Sequence, residues 1–169
     1  MLCALCAALS AAVQFVFSGF KPYCTIYFSI FICTVCCPMK YGIFCAVLCP
    51  LISMMTAGNP AAVLLPAGIA KCLVFSFLSR LMFVRFRTGK LFNDMYICLV
   101  PAVCAGQITG AVINSAIFCG DANSAVMFAV EQMIAAIPES LVLLAIAPGT
   151  VSLLNSLGIV EKHIKSENI

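Results

Sequence analysis

The sequence predicts an all-α integral membrane protein with six transmembrane helices and both termini in the cytoplasm. Three observations carry this prediction. Of 169 residues, 64% are hydrophobic and 9% are charged, against roughly half and a quarter in a soluble domain. Runs without a charged residue extend over 1–20, 22–39, 41–70, 95–120 and 140–160, and a helical span needs about 20 apolar residues. The two-residue alternation of a membrane barrel is absent, and backbone groups in lipid must pair within their own segment, which makes helices the default. The spans use up the chain. One six-helix domain covers 1–160, and 161–169 is a polar cytoplasmic tail that needs no fold. No length remains for a nucleotide-binding or soluble catalytic domain.

The first span is expected over 2–18. Ala4, Ala8 and Ala12 recur at four-residue spacing and so share one face. Small residues there let another helix come close, either within this bundle or from a separate membrane subunit. The run lacks a basic start and a polar exit, so it reads as a retained helix rather than a signal peptide. Gly19, Lys21 and Pro22 break it. The second span is expected over 23–37, ending before Pro38, and the third over 40–55. Both are short, and a re-entrant hairpin is the competing reading. A turn follows at Thr56-Ala57-Gly58-Asn59-Pro60.

The fourth span is expected over 61–84, bent by Pro66. Lys71 falls about 15 Å into it, near the bilayer midplane. Arg80 lies nearer the far end, where its long side chain is expected to reach the surface. The fifth span is expected over 93–118. Gln107, Gly110, Ala111 and Asn114 fall on one of its faces, and Ala102, Gly106 and Gly110 form a small-residue stripe. The sixth, over 124–155, carries Glu131, Gln132 and Glu139 with Pro138 and Pro148.

Charge sets the orientation. With six spans, Lys40, the basic loop 85–90 and the tail lysines Lys162 and Lys165 share one side, and the bias toward cytoplasmic Lys and Arg puts that side inside. The loops around Lys21, Asn59 and Asp121 then face outward. The net charge of +3 follows from this bias and is no sign of nucleic-acid binding.

Ionisable groups at this depth are costly and mark a ligand site, a pathway or a partner charge. Measured from the outer surface, Asn114, Glu131, Gln132, Lys71 and Gln107 lie roughly 6–17 Å down at 1.5 Å per residue. They come from the fourth, fifth and sixth spans and can converge on one outward-opening cavity. A few polar groups in apolar surroundings are what a small-molecule site requires. The competing reading is a structural Lys71–Glu131 ion pair, with Gln107 and Asn114 as interhelical glue. Glu139, deeper, is a candidate partner for Arg80.

No nucleophile–base pair, HExxH, GxSxG or phosphate loop is present, so no catalytic residue is assigned and an enzyme is disfavoured. Most of the twelve cysteines lie in apolar spans and read as small hydrophobes. Cys3-x-x-Cys6 and Cys33-x-x-Cys36 have metal-like spacing, but the only histidine is His163 in the tail, so no metal site is assigned. A Cys24–Cys119 bridge near the outer surface is conceivable.

Three stretches carry a family resemblance: LCALCAALSAAVQFVF at 2–17, MMTAGNPAAVLLPAGIAKCLVFSFLSRLMF at 54–83, and LLNSLGIV at 153–160. With its six-span length, the chain resembles the substrate-binding S component of energy-coupling factor (ECF) vitamin transporters. The resemblance implies a bacterial or archaeal plasma-membrane protein that captures a small water-soluble vitamin from outside. It implies that Ala4, Ala8 and Ala12 face a coupling transmembrane subunit. Two ATPase subunits would drive the complex with ATP, and this chain would need no cofactor. Lys71 would meet an anionic group, Glu131 a cation or donor, and Asn114, Gln107, Gln132 and Asn59 would supply hydrogen bonds. The chain has no Trp, unlike thiamin-type sites with a stacking Trp, and lacks the His-containing start of the nickel and cobalt members. The readings from other classes are a structural or assembly membrane subunit without a ligand cavity, and a self-contained secondary carrier.

Overall fold

A computed structural model describes Ala8, 23–57, 61–86, 88 and 90–156. Asn59, Ala4, Ala12, Cys3, Cys6 and the tail lie outside the described residues, and Ala8 is helical and exposed. The helices are α1 (Tyr23–Cys36), α2 (Met39–Ala57), α3 (Leu65–Arg85), α4 (Leu91–Phe118), α5 (Ala122–Ala135) and α6 (Ile137–Ser156), with a 3₁₀ turn at Ala62–Leu64 before α3. No strand occurs among the described residues. Among the described residues, three stretches are long and apolar enough to cross a membrane: Ala62–Arg85, Leu91–Phe118 and Ala122–Ser156. Ile26–Cys36 and Met39–Met55 are shorter apolar helices.

Pro50, Pro101 and Pro148 lie inside helices, whereas Pro38, Pro66 and Pro138 sit at helix ends. Pro38 separates α1 from α2. Pro66, expected to bend the fourth span, instead sits in the first turn of α3, where its missing N–H has no intrahelical acceptor to lose. The sixth span differs most from expectation. A straight helix over the 35 residues of Ala122–Ser156 would rise about 52 Å, against a hydrocarbon core of about 30 Å. It breaks at Ala136 instead. Pro138 cannot donate to the Ile134 carbonyl and its ring crowds that turn. The Ala136 N–H is shared with the carbonyls of Gln132 and Met133, and α6 restarts at Ile137 with Pro138 in its first turn. The halves then part company: α5 packs chiefly on α4, and α6 on α1 and α4.

α1 is the centre of the bundle. Ile26, Tyr27, Ser29, Ile30, Phe31, Cys33, Thr34, Val35 and Cys36 are all buried, so almost no face of this helix reaches the surface. α2, α3 and α6 surround it. α3 and α4 make the largest helix pair, and Ala102, Gly106 and Gly110 lie buried along it. A Cβ on Gly106 would come 3.3 Å from the Lys71 carbonyl oxygen, so the small stripe read from the sequence is what lets these two backbones close up. By contrast, no residue of α5 is buried.

Side-chain pairs fix the helix directions. Tyr27, Phe31 and Thr34 of α1 meet Phe75 and Ser76 of α3 in ascending order, so α1 and α3 run parallel. Lys71 lies against Gly110, and Phe75 against Gly106, so α4 runs antiparallel to α3. Asn114 meets Gln132 and Phe118 meets Phe128, so α5 reverses α4 in turn. The α1–α2 turn, the end of α3 and the start of α4 therefore share one end of the bundle, with Lys40, Arg85 and Lys90. Asp121 lies at the other.

Arg80 is not at the surface. It is 4% exposed, and its Nη1 donates to the carbonyls of Thr34 (3.1 Å) and Val35 (3.5 Å) at the end of α1. The residue four beyond Thr34 is Pro38, which has no N–H to give that carbonyl. An orphan helix-terminal carbonyl buried in the bundle needs a donor, and Arg80 supplies it. That need outweighs the pull toward the aqueous edge.

At the opposite end Asp121 caps α5. The Ser124 N–H donates to its Oδ2 at 3.0 Å, and the Ser124 hydroxyl donates to Oδ1. First the hydroxyl and then the backbone N–H hold the Asp121 carboxyl below the usual aspartate range. A carboxylate depressed in the folded state contributes stability above its unfolded value and loses it as pH falls through the folded one. The Ser124 amide shift in NMR of the micelle-embedded protein should therefore titrate with a midpoint below the usual aspartate range. Asp121→Ala should abolish that titration; its survival would mean that another group caps the helix.

Candidate functional site

The polar residues in the half of the bundle nearer Asp121 are assembled by close helix packing. At Gly110 a Cβ would fall 2.7 Å from the Lys71 Cδ, so the glycine lets the Lys71 stem lie across α4. The stem ends with Nζ over the ring of Tyr27, 5.2 Å from its centroid, a distance at which the ring face attracts a cation. Tyr27 in turn stands edge-on to Phe75, with centroids 4.8 Å apart at 62°. Central α1 therefore supplies an aromatic rest for the one lysine of α3.

One turn along α4 from Gly110, Asn114 Nδ2 donates to Gln132 Oε1 at 2.8 Å. Its Oδ1 is buried and has no hydrogen-bond partner among the described residues. Gln107 is half-buried on α4, three residues before Gly110. The sequence points to Glu131 as the acidic partner of Lys71, but Glu131 is exposed on α5. Glu139, in the first turn of α6, is half-buried. The break at Ala136 is the physical reason. It ends α5 on the flank of α4 and starts α6 against α1, so the carboxylate beyond the break turns inward and the one before it does not.

Lys71 of α3 thus meets Gly110 of α4 and Tyr27 of α1, and Asn114 of α4 meets Gln132 of α5. A cation on an aromatic face and an amide with an open acceptor can bind a small polar molecule. No group of three or more metal-ligating side chains is assembled among the described residues.

No family model, curated protein or solved structure matches this chain.

Three further polar arrangements were not legible as such. Thr34 Oγ1 donates to the Ile30 carbonyl at 2.7 Å, which commits its hydrogen, so the Ser76 hydroxyl donates to Thr34 across 3.0 Å. Asp94, 4% exposed, accepts from the Thr88 N–H at 2.7 Å and from the Thr88 hydroxyl, closing the loop between α3 and α4. Cys45 Sγ lies 3.4 Å from Cys33 Sγ and is buried, as are Cys36, Cys37 and Cys49, none of them in a disulfide. They fill the core as small hydrophobes, as their apolar setting suggests. Cys119 is also a free thiol, so it forms no bridge with Cys24. For Arg80 the signal was present: Pro38 four residues after Thr34 announces a carbonyl without a donor.

Proposed function

We propose that the chain is a six-span substrate-binding component of an ECF-type importer in a bacterial or archaeal plasma membrane, with both termini cytoplasmic. It captures a small water-soluble vitamin or related micronutrient from outside and releases it inward through an ATP-driven complex. The coupling transmembrane subunit and two ATPase subunits supply the energy, and this chain hydrolyses nothing. The observation that carries the reading is Lys71, held inside the bundle by Gly110 and the Tyr27 ring. Membrane-depth lysines are expensive and are retained where something charged must be met. Lys71 meets an anionic group, Asn114 and Gln132 give and take hydrogen bonds, Gln107 and Asn59 stand at the margins, and the docking face runs through Ala4, Ala8 and Ala12. Glu131, exposed on α5, remains the assignment for a donor or cation entering from outside.

A second reading is favoured by one observation. Lys71 lies across Gly110 and over the Tyr27 ring, so it can serve purely to hold α3 against α4 and α1 in a structural subunit. Native mass spectrometry of the protein extracted from its own membranes separates the two. Capture requires a retained small acid, released on Lys71→Gln with a fall in affinity of about 10- to 100-fold, the value of one charge-assisted hydrogen bond. The structural reading requires no retained molecule and a lower unfolding temperature for Lys71→Gln. That outcome would defeat the capture account.

A further inference from the structure

At the basic end of the bundle, well away from Lys71, an open groove of about 510 Å³ is lined by Met39, Phe77, Arg80, Leu81, Val84 and Arg85. Phe77, Leu81 and Val84 recur at helical spacing along α3 and form an exposed apolar wall. Met39 closes the groove from the start of α2. Arg80 borders it with its guanidinium turned inward to Thr34 and Val35. Arg85, in the last turn of α3, is exposed at its mouth, and Lys40 and Lys90 stand exposed at the same end of the bundle.

The charge at this end is one-sided. Among the described residues the acidic side chain there is Asp94, which is buried and accepts from Thr88. An apolar trough with a basic mouth, at the end of the bundle where Lys40, Arg85 and Lys90 gather, matches an amphiphile with an anionic head. We propose that this groove binds one anionic phospholipid of the cytoplasmic leaflet. An acyl chain lies along Phe77, Leu81 and Val84, and the headgroup phosphate meets Arg85. Basic pockets between helices on the cytoplasmic side recognise anionic headgroups in this way, and a planar guanidinium suits a phosphate. The site is independent of the ligand held near Lys71, so failure of one leaves the other standing.

The test uses the full chain, delipidated in neutral detergent and titrated with phosphatidylglycerol or phosphatidylcholine of identical acyl chains, read by native mass spectrometry. We expect one phosphatidylglycerol to be retained about fivefold or more over phosphatidylcholine, the factor one basic residue commands near an anionic headgroup. Arg85→Gln, at an exposed helix end, should bring the two lipids level. Val84→Glu, which puts a like charge in the trough, should expel phosphatidylglycerol without changing the circular dichroism spectrum. Inorganic phosphate should not compete, because the acyl contact is missing. Equal retention of the two lipids by the unmodified chain would overturn the proposal. So would selective retention that survives both substitutions, or displacement by free phosphate.

Discussion

Arg80→Met should lower stability in micelles by about 3 kcal/mol, because it leaves the carbonyls of Thr34 and Val35 buried without their donor. Methionine fills most of the same volume, so the loss is polar rather than a cavity. The connection to Pro38 makes the effect separable. Pro38→Ala restores an N–H four residues after Thr34, and that N–H can take over one of the two carbonyls. The cost of Arg80→Met should therefore shrink by about 1 kcal/mol in a Pro38→Ala background, a coupling of the size expected for groups that share a partner. Equilibrium unfolding of the four proteins in this cycle measures it. Additive costs would show that Arg80 is not standing in for the missing backbone donor.

Gly42→Ala sets two effects of opposite sign against each other. Alanine is favoured over glycine inside a helix by about 1 kcal/mol, so propensity alone predicts a more stable protein. Packing predicts the reverse. A Cβ at position 42 would lie 2.7 Å from Thr34 Oγ1, 3.0 Å from Ser76 Oγ and 3.2 Å from the Thr34 Cα. The last of these atoms is backbone and cannot swing aside. Relief must move α2 away from α1 and break the Ser76–Thr34 hydrogen bond, together costing about 2–4 kcal/mol. Packing wins, and the net loss should be about 1–3 kcal/mol, rising further for Gly42→Val. Thr34→Ala introduced alongside Gly42→Ala removes the nearest atom and should recover part of the loss. A Gly42→Ala protein as stable as the unmodified chain would mean that α1 and α2 are not in this contact.

Much of the framework could be read from single residues. Pro38, the polar loop 85–90 and Gly120-Asp121 mark helix ends that the structure places within a few residues of expectation. Ala102, Gly106 and Gly110 announce a close helix contact. Lys71 and Asn114 stand out because a polar side chain in an apolar run is conspicuous. The placement of the two carboxylates is less legible. Glu131 and Glu139 are both set in apolar sequence on the same run, and nothing in their neighbours ranks them. Their ranking follows from the interruption at Ala136, whose cause, Pro138, is visible but whose effect on direction is not. Arg80 was misjudged for a related reason. A long basic side chain near the end of a span has two stable outlets, water at the edge or an orphan carbonyl inside, and only the position of α1 beside α3 selects between them.

The amino-acid sequence determined the class of the protein and the limits of its helices, since a chain this poor in charge must satisfy its backbone within each segment, and prolines and polar turns interrupt that pairing. The tertiary structure alone decided which surfaces look inward. In water a buried face is betrayed by its hydrophobicity, but lipid tails are as apolar as a helix interface, so that signal vanishes here. α1 and α5 are both apolar helices of 14 residues, yet one is enclosed on nearly every side and the other buries no residue. Packing shape, small residues and the few polar groups needing partners made that choice.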